Sequence, residues 1–152
     1  EEVDPERIWM MGLSQGGTMT TFATAAESRI KAADIIGYVN PWSGFGIARA
    51  NFCGSQILPD IYKYFDTDEI AGLIAPRPLL LEMGIYDNCF YIQDMLKGYE
   101  GVKEIYKQQE LKINCGPIFI QGLMLLPGIK PLSFLRNIYK NAIMLFIYCN
   151  NE

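Results

Sequence analysis

Ile8-Trp9-Met10-Met11-Gly12-Leu13-Ser14-Gln15-Gly16-Gly17 is the stretch whose reading decides the fold. A short apolar run leads into a Gly-x-Ser-x-Gly pattern. A serine in a sharp strand-to-helix turn has its hydroxyl pushed clear of the backbone, and glycines two residues to either side let strand and helix approach without Cβ clashes. The pattern predicts a buried strand over 8–11, an exposed nucleophilic hydroxyl on Ser14, and a helix over 18–27. Gly12, Gly16 and Gly17 are the small residues of this elbow, and the Gln15 amide can face negative charge developing on a carbonyl oxygen beside the serine. A plain turn serine is the bland alternative, and the strand before and helix after favour the nucleophile. Gly12 and Ser14 break the Gly-x-Gly spacing of a dinucleotide fingerprint, and no Gly-Lys-Ser/Thr occurs, so a phosphate cradle is the wrong reading.

Outward from the elbow, the first 110 residues alternate between strand and helix signals, which predicts an α/β domain built on a parallel sheet with flanking helices. A second strand is expected over 32–39, followed by a loop over 40–46 marked by Pro41, Gly44 and Gly46. Helices are expected over 56–65 and 68–73, the latter capped by Thr67 or Asp66 and stopped by Ala75-Pro76-Arg77-Pro78. Leu79-Leu80-Leu81-Glu82-Met83 reads as a third buried strand, Gly84 to Asn88 as the loop at its carboxyl end, and 92–109 as an amphipathic helix.

That loop supplies the acid. In a Ser-His-acid site the carboxylate orients the imidazole and stabilises its charged form, so it belongs in a loop after a later strand, where Asp87 stands. An aspartate that merely caps its own turn is the competing reading. Glu82 lies inside an apolar strand and is less suited. Tyr38, Trp42, Phe45 and Phe52 either line a substrate pocket or belong to the core. A serine hydroxyl needs a base to take its proton, yet the 152 residues contain no histidine, so these residues do not complete such a mechanism.

Composition narrows the remaining classes. Half of the residues are hydrophobic, enough for the core of one domain. A formal charge of −4 without a basic stripe argues against nucleic acid as a partner. Cys53, Cys89, Cys115 and Cys149 form no C-x-x-C pair, so buried thiols are expected and a metal site is not. No basic-then-apolar leader stands at the start, a weak lean towards the cytoplasm; compartment and oligomeric state are otherwise unreadable. Charge also divides the chain: 16 acidic and 9 basic residues occupy 1–110, against one and four in 111–152. The apolar runs after 115 fall short of a membrane span and are broken by Pro127, Gly128, Lys130 and Pro131. The expected organisation is a domain over 1–110 and an aberrant tail over 111–152.

Val3-Asp4-Pro5-Glu6-Arg7-Ile8, the elbow, and Ala75-Pro76-Arg77-Pro78-Leu79-Leu80-Leu81-Glu82 with Gly84 and Asp87 together resemble the C-terminal half of an α/β-hydrolase. The nearest resemblance is to the dienelactone hydrolase-like and acetyl xylan esterase-like serine esterases. The resemblance implies that Ser14 attacks a small ester, that Asp87 orients a histidine, and that Gln15 N–H is an oxyanion donor, with no cofactor. It also implies that the family's first strands are missing, which would leave the elbow strand without one ladder partner. A non-catalytic binding domain on the same scaffold, or a non-functional gene fragment, is the alternative. If the last base of each codon is read with the first two of the next, residues 122–134 can become Ala-His-Ala-Phe-Ala-Gly-Asn-Lys-Ala-Phe-Glu-Phe. That peptide resembles the family's histidine loop and closing helix, so a reading-frame slip between about Tyr106 and Gly116 is expected.

Overall fold

Met10 and Met11, buried at 6% and 5% exposure, lie in the first strand because apolar side chains here can be covered on both faces of a parallel sheet. The computed structural model describes residues 3–49, 56 and 58–108, together with the pairing of strands 115–120 and 145–146. The first strand, β1, is Met10–Leu13, and the helix after it, α1, is Gln15–Ala26. The strand runs closer to the serine than the apolar run alone suggests, and the helix starts three residues earlier than expected, because the chain reverses at Ser14 alone.

β2 is Ala33–Ile36 and β3 is Leu79–Gly84. β2 is shorter than its apolar run because Gly37, with φ +61, turns the chain out of the sheet. Between these strands lies α2, Thr67–Gly72, with Asp66 as its N-cap. Asp66 and Glu69 form a reciprocal capping box that satisfies two otherwise orphaned amides. Two expectations for this connection fail. Residues 43–48 form a π-helical turn, Ser43–Ala48, in place of a loop, started by Gly44 and Phe45 amides bonding to the Pro41 carbonyl. Among the described residues of the helix expected over 56–65, Ile61–Lys63 form a 3-10 turn, and Asp60 before it takes a left-handed conformation with φ 65 that no α-helix through it allows.

α3, Ile92–Gln108, follows β3 and buries Met95, Gly98, Val102 and Tyr106, a spacing close to the helical period. β4 is Cys115–Ile120 and β5 is Leu145–Phe146. The sheet has the order β4-β3-β2-β1-β5, and every pair is parallel. Tail residues thus pair at both edges of the sheet. The side of β1 expected to lack a partner is paired with β5 at Met10 and Met11.

One face of the sheet, formed by Ala33, Ile35, Leu79, Leu81 and Met83, packs against Ala71, Ile74, Met95, Val102 and Tyr106. Burying each such aliphatic side chain contributes about 1.5–3 kcal/mol. Trp9, Met11, Ala32 and Ile36 form a second, smaller cluster. Among the described residues no helix is long and apolar enough to cross a membrane.

Candidate active site

Ser14 stands where β1 ends and α1 begins, with φ 57 and ψ −116. Non-glycine residues seldom occupy that region, and one persists there only where its surroundings hold it. Its N–H donates to the Ile36 carbonyl at 3.0 Å, and the Thr18 N–H donates back to the Ser14 carbonyl at 3.0 Å. The close approach of strand to helix is set by Gly12: a Cβ there would lie 2.1 Å from the Gly16 carbonyl oxygen and 2.7 Å from Thr20 Oγ1. Gly16 and Gly17 occupy the first turn of α1 and are buried. Ser14 is half-buried, and its hydroxyl makes no hydrogen bond among the described residues. Gln15 opens α1, so its amide lies at the helix N-terminus, where the backbone carries partial positive charge.

Asp87 follows β3 and is buried, at 7% exposure. Its Oδ1 accepts from the Cys89 N–H at 2.8 Å and the Phe90 N–H at 2.9 Å. The carboxylate therefore does cap its own turn, but with one oxygen only. Oδ2 accepts no hydrogen bond among the described residues, and it lies 3.6 Å from where a Cβ on Gly37 would stand.

Gly37 links the two corners. It follows Ile36, whose carbonyl takes the Ser14 amide, and its own N–H donates to the Glu82 carbonyl at 2.9 Å. Ser14, Gly37 and Asp87 thus lie at the carboxyl ends of three adjacent parallel strands, with Gly37 between the other two. Sequence pattern passed over Gly37, and its only local signal was a glycine interrupting an apolar run.

The other candidates fall elsewhere. Tyr38, Trp42 and Phe45 are core residues, 1%, 4% and 1% exposed, so the core reading of these aromatics is the correct one. The Phe45 and Phe90 rings stack with centroids 4.6 Å apart, tying the connection after β2 to the Asp87 turn. Trp42 is pinned to the start of α2, its backbone N–H donating to Asp66 Oδ1 at 2.8 Å and its indole N–H to the Phe65 carbonyl at 3.1 Å. Glu82 is buried within β3, and Asp94 forms an ion pair with Arg49, whose guanidinium lies over the Tyr91 ring. Cys89 is exposed, contrary to the expectation of buried thiols, because the turn that offers its amide to Asp87 faces its side chain outward. Phe52, Cys53, Cys149 and the stretch 122–134 lie outside the described residues.

No family model matches the chain. It is 33% identical over 109 residues to “Putative hydrolase YtaP” of Bacillus subtilis (strain 168), a match covering 70% of this chain and 34% of that protein. A glucuronoyl esterase from Solibacter usitatus superposes with a TM-score of 0.70 at 14% identity, over 88% of this chain and 42% of that one. A CE15 glucuronoyl esterase from Teredinibacter turnerae T7901 gives 0.70 at 18% identity, over 90% and 41%. The chain has part of an α/β-hydrolase fold. Pyrococcus horikoshii acylaminoacyl peptidase, with a TM-score of 0.59 at 19% identity over 80% of this chain and 20% of that one, shares it. The chain spans about a third of the curated relative's length and about two fifths of the two esterases. Within this hydrolase fold the parallel sheet presents its carboxyl ends at the Ser14 corner, the edge where open α/β sheets bind ligands.

Proposed function

We propose that this chain carries the nucleophile and the acid of a serine ester hydrolase. The observation that supports this reading is that a serine in a strained φ > 0 corner and a buried carboxylate held through one oxygen by two turn amides lie at the same carboxyl end of one parallel sheet. In this reading Ser14 Oγ attacks the ester carbonyl carbon. The oxyanion that forms is stabilised by the Gln15 N–H and the N-terminus of α1, and collapse expels the alcohol to leave an acyl-enzyme that water hydrolyses. Asp87 orients the base that carries the proton from Ser14 to the leaving alcohol.

The substrate class proposed is a small ester, of the acetyl-ester or dienelactone type that the sequence resemblance implies. The relatives described as esterases support the ester bond without fixing its acyl group. The base itself is proposed to lie in the shifted reading of 122–134, so coding DNA with codons incompatible with that peptide would remove the frame slip from this proposal.

For the chain as it stands, p-nitrophenyl acetate hydrolysis is expected to be feeble. Loss of a triad member leaves only about 10³–10⁴-fold over water from binding and the oxyanion hole. A fluorophosphonate probe provides the cleaner test, with labelling expected on the Ser14 peptide and lost in Ser14→Ala. A sample with folded-state circular dichroism that takes no label would overturn the reading in favour of a non-catalytic binding scaffold.

A further inference from the structure

We propose that Arg49 is a positioning residue for Asp87: from the end of the Ser43–Ala48 turn its guanidinium clasps the start of α3 and so holds the two amides that fix the carboxylate. The functional weight of this clasp rests on the reading of Asp87 as the acid of the site.

The connection after β2 and the segment after β3 meet at backbone distance. A Cβ on Gly44 would stand 2.8 Å from Asp94 Oδ2, and one on Gly98 would stand 2.5 Å from the Val39 carbonyl oxygen. Neither position has room for a side chain, so residues 39–44 lie directly along the first half of α3. Above this seam the Phe45 ring stacks on Phe90 with centroids 4.6 Å apart.

Arg49 closes the seam with two different holds. Its guanidinium donates to Asp94 Oδ2, and its central carbon lies 4.1 Å from the centroid of the Tyr91 ring. The Asp94 side chain is only 8% exposed, so its charge needs a partner. Lys97 Nζ is 3.5 Å from Oδ1, but its side chain is 70% exposed and water competes for it. Arg49 is therefore the stronger hold, and a planar guanidinium covers an aromatic face in a way that an ammonium does not. The Tyr91 carbonyl accepts from the Asp94 N–H at 2.9 Å and the Met95 N–H at 3.1 Å, so Arg49 grips both ends of the first turn of α3 from outside.

Phe90 is where the clasp reaches the site. Its ring is held by Phe45, the next residue lies under Arg49, and its own N–H donates to Asp87 Oδ1 at 2.9 Å. The Cys89 N–H, one residue earlier, donates to the same oxygen. Freeing residues 90–94 lets these two amides turn to water, and the carboxylate then loses its fixed direction, the property that orienting a base requires. Arg49 and Asp94 are 45 positions apart, so no local pattern announces the pair.

Hydrogen exchange of single amides in the full chain tests the proposal, because a clasp serving the fold alone would act on every protected amide alike. Arg49→Leu should speed exchange at Cys89 and Phe90 about tenfold, while the Met10 and Ser14 amides, bonded to the Ala32 and Ile36 carbonyls, stay within about twofold. Arg49→Lys keeps the charge and loses the stacked plane, so exchange should return to within about threefold of the parent chain. Lys97→Met removes the exposed partner of the same carboxylate and should change nothing by more than about twofold. With Asp87→Ala the two amides have already lost their acceptor, and adding Arg49→Leu should speed them by less than about twofold. Should Arg49→Leu fail to fold, Tyr91→Leu removes only the ring beneath the guanidinium, and an acceleration of about threefold at the same two amides is expected. Unchanged exchange at Cys89 and Phe90, equal acceleration at Met10 and Ser14, or a full effect that survives Asp87→Ala would overturn the inference. If a folded parent chain takes no fluorophosphonate label yet shows the local acceleration, the clasp stands and the reading of the site fails. If Ser14 is labelled and the acceleration is absent, only the role of Arg49 fails.

Discussion

Asp34 and Asp87 are both buried aspartates on the same sheet, 0% and 7% exposed, and they live under opposite conditions. Asp87 lies just beyond the end of β3, where the strand ladder has run out and the amides of the next turn are available; two of them hold its carboxylate. Asp34 lies in the middle of β2, with Met11 and Leu80 as cross-strand neighbours, and neither of its oxygens has a hydrogen-bond partner among the described residues. Burial pushes the Asp34 carboxyl well above the usual aspartate range, and nearby Glu82 adds to the shift. A parallel ladder consumes its own amides, so a buried carboxyl is supported at a strand's carboxyl end and penalised within it. This sheet therefore concentrates its usable polar chemistry on one rim.

The rim is the region more easily broken. Gly12→Ala would drive a methyl to 2.1 Å from backbone of α1, which cannot move aside as a side chain could. The expected cost exceeds about 4 kcal/mol, in the range reserved for overpacking and backbone conflict. Urea unfolding would measure it, and Ser14 labelling should vanish with it. A loss under about 1 kcal/mol would show that strand and helix do not need their close approach.

Removing each aspartate then separates the two environments by sign. Asp87→Ala leaves the Cys89 and Phe90 amides without their acceptor, and a loss of about 2–4 kcal/mol is expected from two hydrogen bonds to a charged group. Asp34→Val removes an unsupported carboxyl from between Met11 and Leu80, and a gain of about 1–3 kcal/mol is expected. Both are read from denaturant midpoints, and equal losses at the two positions would dissolve the contrast. The pH dependence sharpens it. With its folded-state value raised, Asp34 keeps a proton in the folded chain that the unfolded chain sheds as pH rises past the ordinary aspartate value. Stability therefore falls with rising pH from the unfolded value up to the folded one. Asp34→Asn should flatten that fall, and an unchanged slope in midpoints measured across that window would contradict the assignment.

The same contrast explains what could be read in advance. The corner at Ser14 and the loop that carries Asp87 were legible because each is announced by its immediate neighbours, the glycines of the elbow and the end of a leucine run. The cap of α2 was equally local and was narrowed to Thr67 or Asp66, and the four-residue box with Glu69 is what selects Asp66. The length of β1 and the start of α1 were misjudged because Ser14 turns the chain in a single residue. The segments 43–48 and 56–65 depend on one bond pattern at Pro41 and one positive φ at Asp60, neither of which leaves a periodic trace. The pairing of β5 with β1 joins residues more than 130 positions apart, beyond any local pattern. Gly37 escaped for a related reason: its place between Ser14 and Asp87 exists only once three strands are in register.

Gly37 also provides the smallest and most discriminating perturbation. Gly37→Ala would place a methyl 3.6 Å from Asp87 Oδ2 and 3.7 Å from Phe90 Cδ2, both ordinary contacts, so no clash contributes. The remaining cost is that of holding a residue with a Cβ at φ +61, about 1–2 kcal/mol. Thermal unfolding should report that modest loss and nothing more. Neither contact involves Ser14, so fluorophosphonate labelling of Ser14 should change little. Loss of the label together with stability would mean that the Ser14 corner needs Gly37 to keep its shape, whereas labelling that survives the modest destabilisation confines the effect of Gly37 to the Asp87 side of the rim.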